Sequence, residues 1–257
     1  MKYSRYLFTS LALIVGFSVH AEHHEEAQTQ LSPVSMQVNL CSLNDGASFK
    51  DIEKLDRRYQ KWMIENEVER TVVRQTPLMF AQATDEPFFL DFQIGTHEAA
   101  GRAWNLWMNT KAGQELNEEW QRIANCQVRL GTLYRKFAAG LPEEGENRIV
   151  SINWCEKHEN KSWQQMADKH TFTGPGAPGG GHAVFWGVMV PQVAGYNLPG
   201  DFAHIMTYNN MEDYMARQRW FDLEGGADMY NDYNTSYATC RGPNLFAEEI
   251  LHIIELP

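Results

Sequence analysis

The stretch Met36-Gln-Val-Asn-Leu-Cys-Ser-Leu-Asn-Asp-Gly-Ala-Ser-Phe49 decides how the chain is read, because its pattern returns 114 residues later. The counterpart is Val150-Ser-Ile-Asn-Trp-Cys-Glu-Lys-His-Glu-Asn-Lys-Ser-Trp163. Each holds Asn-x-Cys, ending at Cys41 and Cys155. Seven residues past each cysteine stands a serine, Ser48 or Ser162. An aromatic follows, Phe49 or Trp163, and then Ile52 or Met166. The other two cysteines keep the same step: Ala124-Asn-Cys126 matches Ala238-Thr-Cys240. Self-similarity at a fixed offset is the mark of a repeated unit, so the chain reads as a tandem copy.

The two serines are helix N-caps, which satisfy a free N–H of the first turn. Ser162-x-x-Gln165 is a capping box and Ser48-x-x-Asp51 a weaker version of one. After Ser48, the residues Phe49, Ile52, Leu55, Tyr59, Trp62 and Met63 recur at helical spacing. Before it, Met36, Val38 and Leu40 alternate as a strand. Strands are predicted at Pro77 to Ala83 and Phe88 to Ile94, joined by the turn residues Thr84-Asp-Glu-Pro87. A helix over Glu98 to Asn125 is broken near Thr110 to Gly113, and a strand over Gln127 to Tyr134 ends the unit. The order is βαββαβ. The second copy repeats it, with strands near Arg148 to Trp154, Ala183 to Val190, Phe202 to Tyr208 and within Leu245 to Ile254, and helices starting at Ser162 and near Asn210. The boundaries are 22–34 for a polar tail, 35–137 for the first copy, 138–147 for a linker and 148–257 for the second copy.

Four cysteines allow three pairings. The repeat selects the one in which each copy closes itself, Cys41 with Cys126 and Cys155 with Cys240. There is no CxxC, and the spacings suit neither a zinc site nor a redox pair; no metal is assigned. Even cysteine numbers of this kind belong to oxidising compartments. Residues 1–21 agree: Lys2 and Arg5 precede the apolar Leu7 to Val19, and Val19-His-Ala21 ends the segment as a signal peptide does. The chain is expected in the periplasm or outside the cell. Its formal charge of −11 argues against nucleic acid and anionic membrane surfaces as partners. Nothing in the pattern sets an oligomeric state.

A βαββαβ unit folds as a four-stranded antiparallel sheet with both helices on one face. The expected class is therefore α+β: two fused ferredoxin-like copies packed sheet to sheet. This pattern resembles the dimeric α/β-barrel group, fused in tandem. It is also similar to exported bacterial proteins of unassigned activity whose copies open with Cys, then Asp-Gly and a Ser/Thr cap. Cys41-x-x-x-Asp45-Gly46-x-Ser48 fits, whereas the second copy has Asn160-Lys161-Ser162. The resemblance implies one of several activities: cofactor-free monooxygenation, haem handling, cyclisation or plain binding. Fold alone does not choose.

Candidate chemistry comes from differences between the copies. Phe88, Leu90, Phe92 and Ile94 share one strand face, and the 114 offset turns them into Phe202, His204, Met206 and Tyr208. His204 as base or ligand contact and Tyr208 as donor to a substrate oxygen are the catalytic candidates. Met206, Asp91, and His182 with Trp186 at the start of a strand are the ligand-binding candidates. Gly174-Pro-Gly-Ala-Pro-Gly-Gly-Gly181 leads into a strand rather than a helix and lacks Lys-Ser/Thr, so it is not a phosphate loop; it reads as a connector or a lid. His97-Glu98 reads as helix capping. Haem enters only through the resemblance. Copper enters through Glu22-His23-His24, a mature N-terminus with a third-position histidine. Eight Trp, 13 Phe and 10 Tyr suit a cavity for a flat or apolar molecule. The reading is an exported binder of a small aromatic or apolar molecule between two sheets. The alternatives are a monooxygenase-like enzyme using His204 and Tyr208, or a protein-interaction module.

Overall fold

A computed structural model describes residues 31–80, 88–170 and 180–256. The N-terminal segment with Glu22-His23-His24, the Thr84–Pro87 turn and most of the glycine-rich stretch lie outside the described residues. The first half runs β1 (Val34–Leu43), α1 (Phe49–Glu65), β2 (Thr71–Met79), β3 (Phe88–Gly95), α2 (His97–Asn109), α3 (Lys111–Ile123) and β4 (Ala124–Ala138). The second runs β5 (Asn147–Lys157), α4 (Trp163–Lys169), β6 (Phe185–Val193), β7 (Phe202–Tyr208), α5 (Met211–Leu223), α6 (Gly226–Ser236), β8 (Ala238–Cys240) and β9 (Asn244–His252).

Within the first half the strand order is β4-β1-β3-β2; within the second it is β9-β5-β7-β6, with the short β8 beside the end of β5. All pairings are antiparallel. Two further ladders join the halves, β4 to β6 and β2 to β9. Eight strands thereby close into one antiparallel barrel. Stacking of two open sheets, the simpler expectation, would have left four edges with unpaired backbone groups; closure removes them. The fold is α+β, as expected.

The barrel interior is mainly apolar but holds a buried polar cluster, in which Arg148 Nη2 and Gln75 Nε2 donate to the Glu248 carboxylate at 2.6 and 2.7 Å. Val34, Met36, Val73, Leu90 and Phe92 meet Val150, Ile152, Ala203, Ile205 and Phe246 in the interior, each buried side chain of this size contributing roughly 1.5–3 kcal/mol. The opposite faces of the same strands lie under the helices. On α1 the stripe Ile52, Leu55, Tyr59, Trp62, Met63 is buried. Ser48 anchors its start by donating from N and Oγ to the Asp51 carboxylate, at 3.1 and 2.6 Å. On α4 the capping box is reciprocal: Ser162 N–H to Gln165 Oε1 at 2.9 Å and Gln165 N–H to Ser162 Oγ at 3.2 Å. The break between α2 and α3 falls at Thr110, whose hydroxyl accepts the Gly113 N–H. A Cβ at Gly113 would stand 2.5 Å from the Trp107 carbonyl.

Both disulfides pair cysteines that face each other in a ladder, Cys41 with Cys126 and Cys155 with Cys240. Around the first are Ile52, Phe89 and Ala124; around the second are Met166, Phe202 and Ala238. Two expectations need correction. The second strand is Thr71–Met79 and begins at Thr71, not at Pro77, because buried Arg74 and Gln75 break the apolar pattern that marks a strand; residues 81–83 of the expected strand lie outside the described residues. The face comparison also slips by one residue. Cys41 pairs with Phe89 and Cys155 with Phe202, so β7 matches β3 at an offset of 113. Phe88, Leu90, Phe92 and Ile94 belong to the barrel interior. Phe202, His204, Met206 and Tyr208 lie on the outer face, and His204 is therefore not between the sheets.

Candidate functional site

In the corrected register, the residue opposite Asn39 is Asp91 and the residue opposite Asn153 is His204. Arg74 lies beside Asp91 on β2, and Val188 lies beside His204 on β6. Counting from the capping serines, Asp56 corresponds to His170. Each half thus buries a set of side chains between sheet and helices: Asp56, Arg74 and Asp91 in one, and His170, Val188 and His204 in the other.

The first set is ionic. Arg74 donates from Nε and Nη2 to both oxygens of Asp91, each at 2.8 Å, and from Nη1 and Nη2 to Asp56 at 2.7 and 3.1 Å. Burial pushes the Asp91 carboxyl up to about 6, with Arg74 pulling the other way; burial also raises Asp56. Asp56 and Asp91 form part of the floor of a cleft of about 830 Å³ between the outer sheet face and α1, α2 and α3. Gln37, Asn39 and Gln93 continue the floor, and Tyr59, Trp62, Trp104, Trp107 and Trp120 form the walls. Tyr59, Trp62 and Trp107 pack as one group, with ring centroids 5.6 to 5.8 Å apart.

Arg70 stands at the same floor, only 2% exposed. Its Nη1 donates to Gln37 Oε1 at 3.2 Å and to Gln93 Oε1 at 2.5 Å. Tyr59 donates to the same Gln93 oxygen at 3.0 Å. Among the described residues, Nε and Nη2 of Arg70 have no partner, nor do the indole N–H groups of Trp62 and Trp104. Burial lowers the Arg70 pKa and pushes Tyr59 up to about 12. Gly95 admits this arrangement, since a Cβ there would meet the Glu69 carbonyl at 2.7 Å and Arg70 Cγ at 3.2 Å.

The second set is a directed hydrogen-bond chain. Trp186 Nε1–H donates to His204 Nδ1 at 3.2 Å. A neutral His204 then carries its proton on Nε2, which faces Tyr233 Oη at 3.2 Å. Tyr233 in turn donates to His170 Nε2 at 2.6 Å. Burial holds His204 down at about 4; burial and the neighbouring His204 hold His170 at about 2. Both imidazoles are neutral at pH 7. A nitrogen of His204 and the sulfurs of Cys155 and Cys240 lie within 4.8 Å of one another, but those sulfurs are bonded to each other and are not thiolate ligands. The proton that Trp186 forces onto His204 Nε2 also opposes metal ligation there.

The sequence-predicted residues therefore separate. His204 and Trp186 share the chain just described. Tyr208 lies four residues along β7, about 13 Å away by strand rise; it packs with Ala183, Tyr214 and Leu245 and bonds Met206 Sδ at 3.7 Å. His182 stands in the turn before β6, partly exposed. Asp91 alone reaches the cleft. Arg70, Gln37, Asn39, Gln93, Asp56 and Arg74 were missed. For Gln37, Asn39, Arg74 and Gln93 the signal was polar residues at alternate positions of β1 to β3, on a face that the helices cover; Arg70 continues that alternation just before β2, and Asp56 lies on α1. No histidine lines the cleft, and the Nε2 atoms of His170 and His204 both face Tyr233, so neither place offers a free imidazole to a haem iron.

No protein-family model matches the sequence, and neither does any curated protein. Solved structures do match. A provisionally named monooxygenase from Fusobacterium nucleatum subsp. nucleatum superposes with TM-score 0.51 at 10% identity, over 86% of this chain and 94% of that one. Another from Lactobacillus acidophilus gives 0.49 at 12%, over 87% and 98%. An anthrone oxidase-like protein gives 0.48 at 12%, over 85% and 92%. The first likeness shows the fold, that of the dimeric α+β barrel.

Proposed function

We propose that the chain is an exported protein that binds a small, flat molecule in the first-half cleft, outside the barrel. The observation that carries this reading is the pairing of an aromatic wall with buried donors that lack partners on residues lining one cleft. Buried polar groups in folded proteins are otherwise hydrogen-bonded, and ligand sites combine apolar walls with a few placed polar groups. The two disulfides and residues 1–21 support export. The matched packing around the disulfides supports descent of 35–137 and 148–257 from one doubled unit. On this reading the first copy keeps an open site, while the second has filled the equivalent space with the imidazole chain.

Turnover is a second reading, drawn from the name of the F. nucleatum protein and from Asp91, a buried carboxyl held near 6 in a cleft, which is where a general base would be tuned. Binding is tested by thermal shift with 2-naphthoate. Stabilisation of the wild type and of His204→Gln, lost in Asn117→Trp, whose indole plugs the cleft from α3, supports the first-half site. Loss in His204→Gln with retention in Asn117→Trp overturns it.

A further inference from the structure

Resting on the cleft reading, we infer that the ligand carries a carboxylate and that Arg70 grips it through the Nε/Nη2 edge of its guanidinium. Arg74, four residues on and on the same outward face of the sheet, shows what that edge does when a partner is present: its Nε and Nη2 hold both oxygens of Asp91 at 2.8 Å. The same edge of Arg70 has no hydrogen-bond partner among the described residues and is closed to solvent, so a ligand reaches it by displacing the side chains that cover it. Nη1 is engaged by the neutral amide oxygens of Gln37 and Gln93, and the guanidinium also interacts with the Tyr59 hydroxyl, a neutral group.

A buried guanidinium without an anion is costly. The nearest carboxylates do not remove that cost, since Asp91 and Asp56 are held by Arg74, and no ion pair involves Arg70 among the described residues. The planar two-N–H fork matches two coplanar oxygens better than a single carbonyl. The body of the molecule follows from the walls. Tyr59, Trp62 and Trp107 offer flat apolar surface, and the free N–H groups of Trp62 and Trp104 suit a further oxygen on the ring. The ligand class is thus an aryl carboxylate, with a ring hydroxyl or keto group favoured.

The test is isothermal titration of the full chain at pH 7.5 with 2-naphthoate and its neutral isostere 2-naphthamide. The expected result is naphthoate binding about tenfold or more tighter than the amide, as a charged hydrogen-bond pair gives. Arg70→Met lowers naphthoate affinity to the level of the amide. Arg70→Lys, which restores charge without the fork, recovers part of it. Equal affinities for the two probes in the wild type overturn the carboxylate assignment and leave the cleft reading standing, whether or not the Arg70 variants fold. Binding of neither probe removes the cleft reading and this inference together.

Discussion

Asp91 and His204 occupy matching register positions yet solve burial differently. Asp91 keeps its charge by sharing Arg74 with Asp56; His204 gives up its charge and joins a chain of neutral donors and acceptors. The consequences can be measured. Arg74→Met leaves two buried carboxylates without a partner and should lower unfolding stability by about 3–5 kcal/mol. Tyr233→Phe breaks the link between His204 and His170 and should cost about 1–3 kcal/mol; a neutral result in urea melts would show that the chain is not formed. The pH dependence of Asp91 has a definite sign. Its folded carboxyl sits at about 6, above the unfolded value, so the folded chain binds the proton more tightly. That contribution is full below the ordinary carboxylate range and is lost as pH rises through about 6. The stability of the wild type relative to Asp91→Asn should therefore fall between pH 4 and pH 7. A relative stability that rises over this range would contradict the assignment.

At the scale of elements, the starts of α1 and α4 were legible because serine caps are local chemistry. Ser162→Ala removes the box from a helix of seven residues and should cost about 0.5–2 kcal/mol, read from the thermal midpoint. The break at Thr110 was legible for the same reason. Strand β2 was not, since Arg74 and Gln75 are buried polar residues whose partners lie 17 and 173 residues away, and no local window contains them. The cleft was missed for a related reason. A one-residue slip in a strand exchanges its two faces, so an offset of 114 in place of 113 put His204 and Tyr208 on the wrong side of the sheet. At Gly95 the second half has Tyr208, and where Gly95 admits Arg70, Tyr208 packs its ring with Tyr214 and Leu245.

Taken whole, the molecule is a barrel closed by two ladders between its halves, with a mainly apolar interior that buries the Arg148–Glu248 pair and two outer layers of helices. Neither half alone could satisfy its edge strands. Replacing Cys41 and Cys126 by serine opens one long loop and should cost about 2–5 kcal/mol, with the barrel interior unchanged. The reading of function depends on the outer layer of the first half rather than on the barrel interior or the imidazole chain. A crystal structure of the chain with 2-naphthoate tests this most directly. The ring should lie beside Trp107 under α1, α2 and α3, with both carboxylate oxygens on the Nε/Nη2 edge of Arg70; density for the ring inside the barrel, or among His170, His204 and Tyr233, would contradict it.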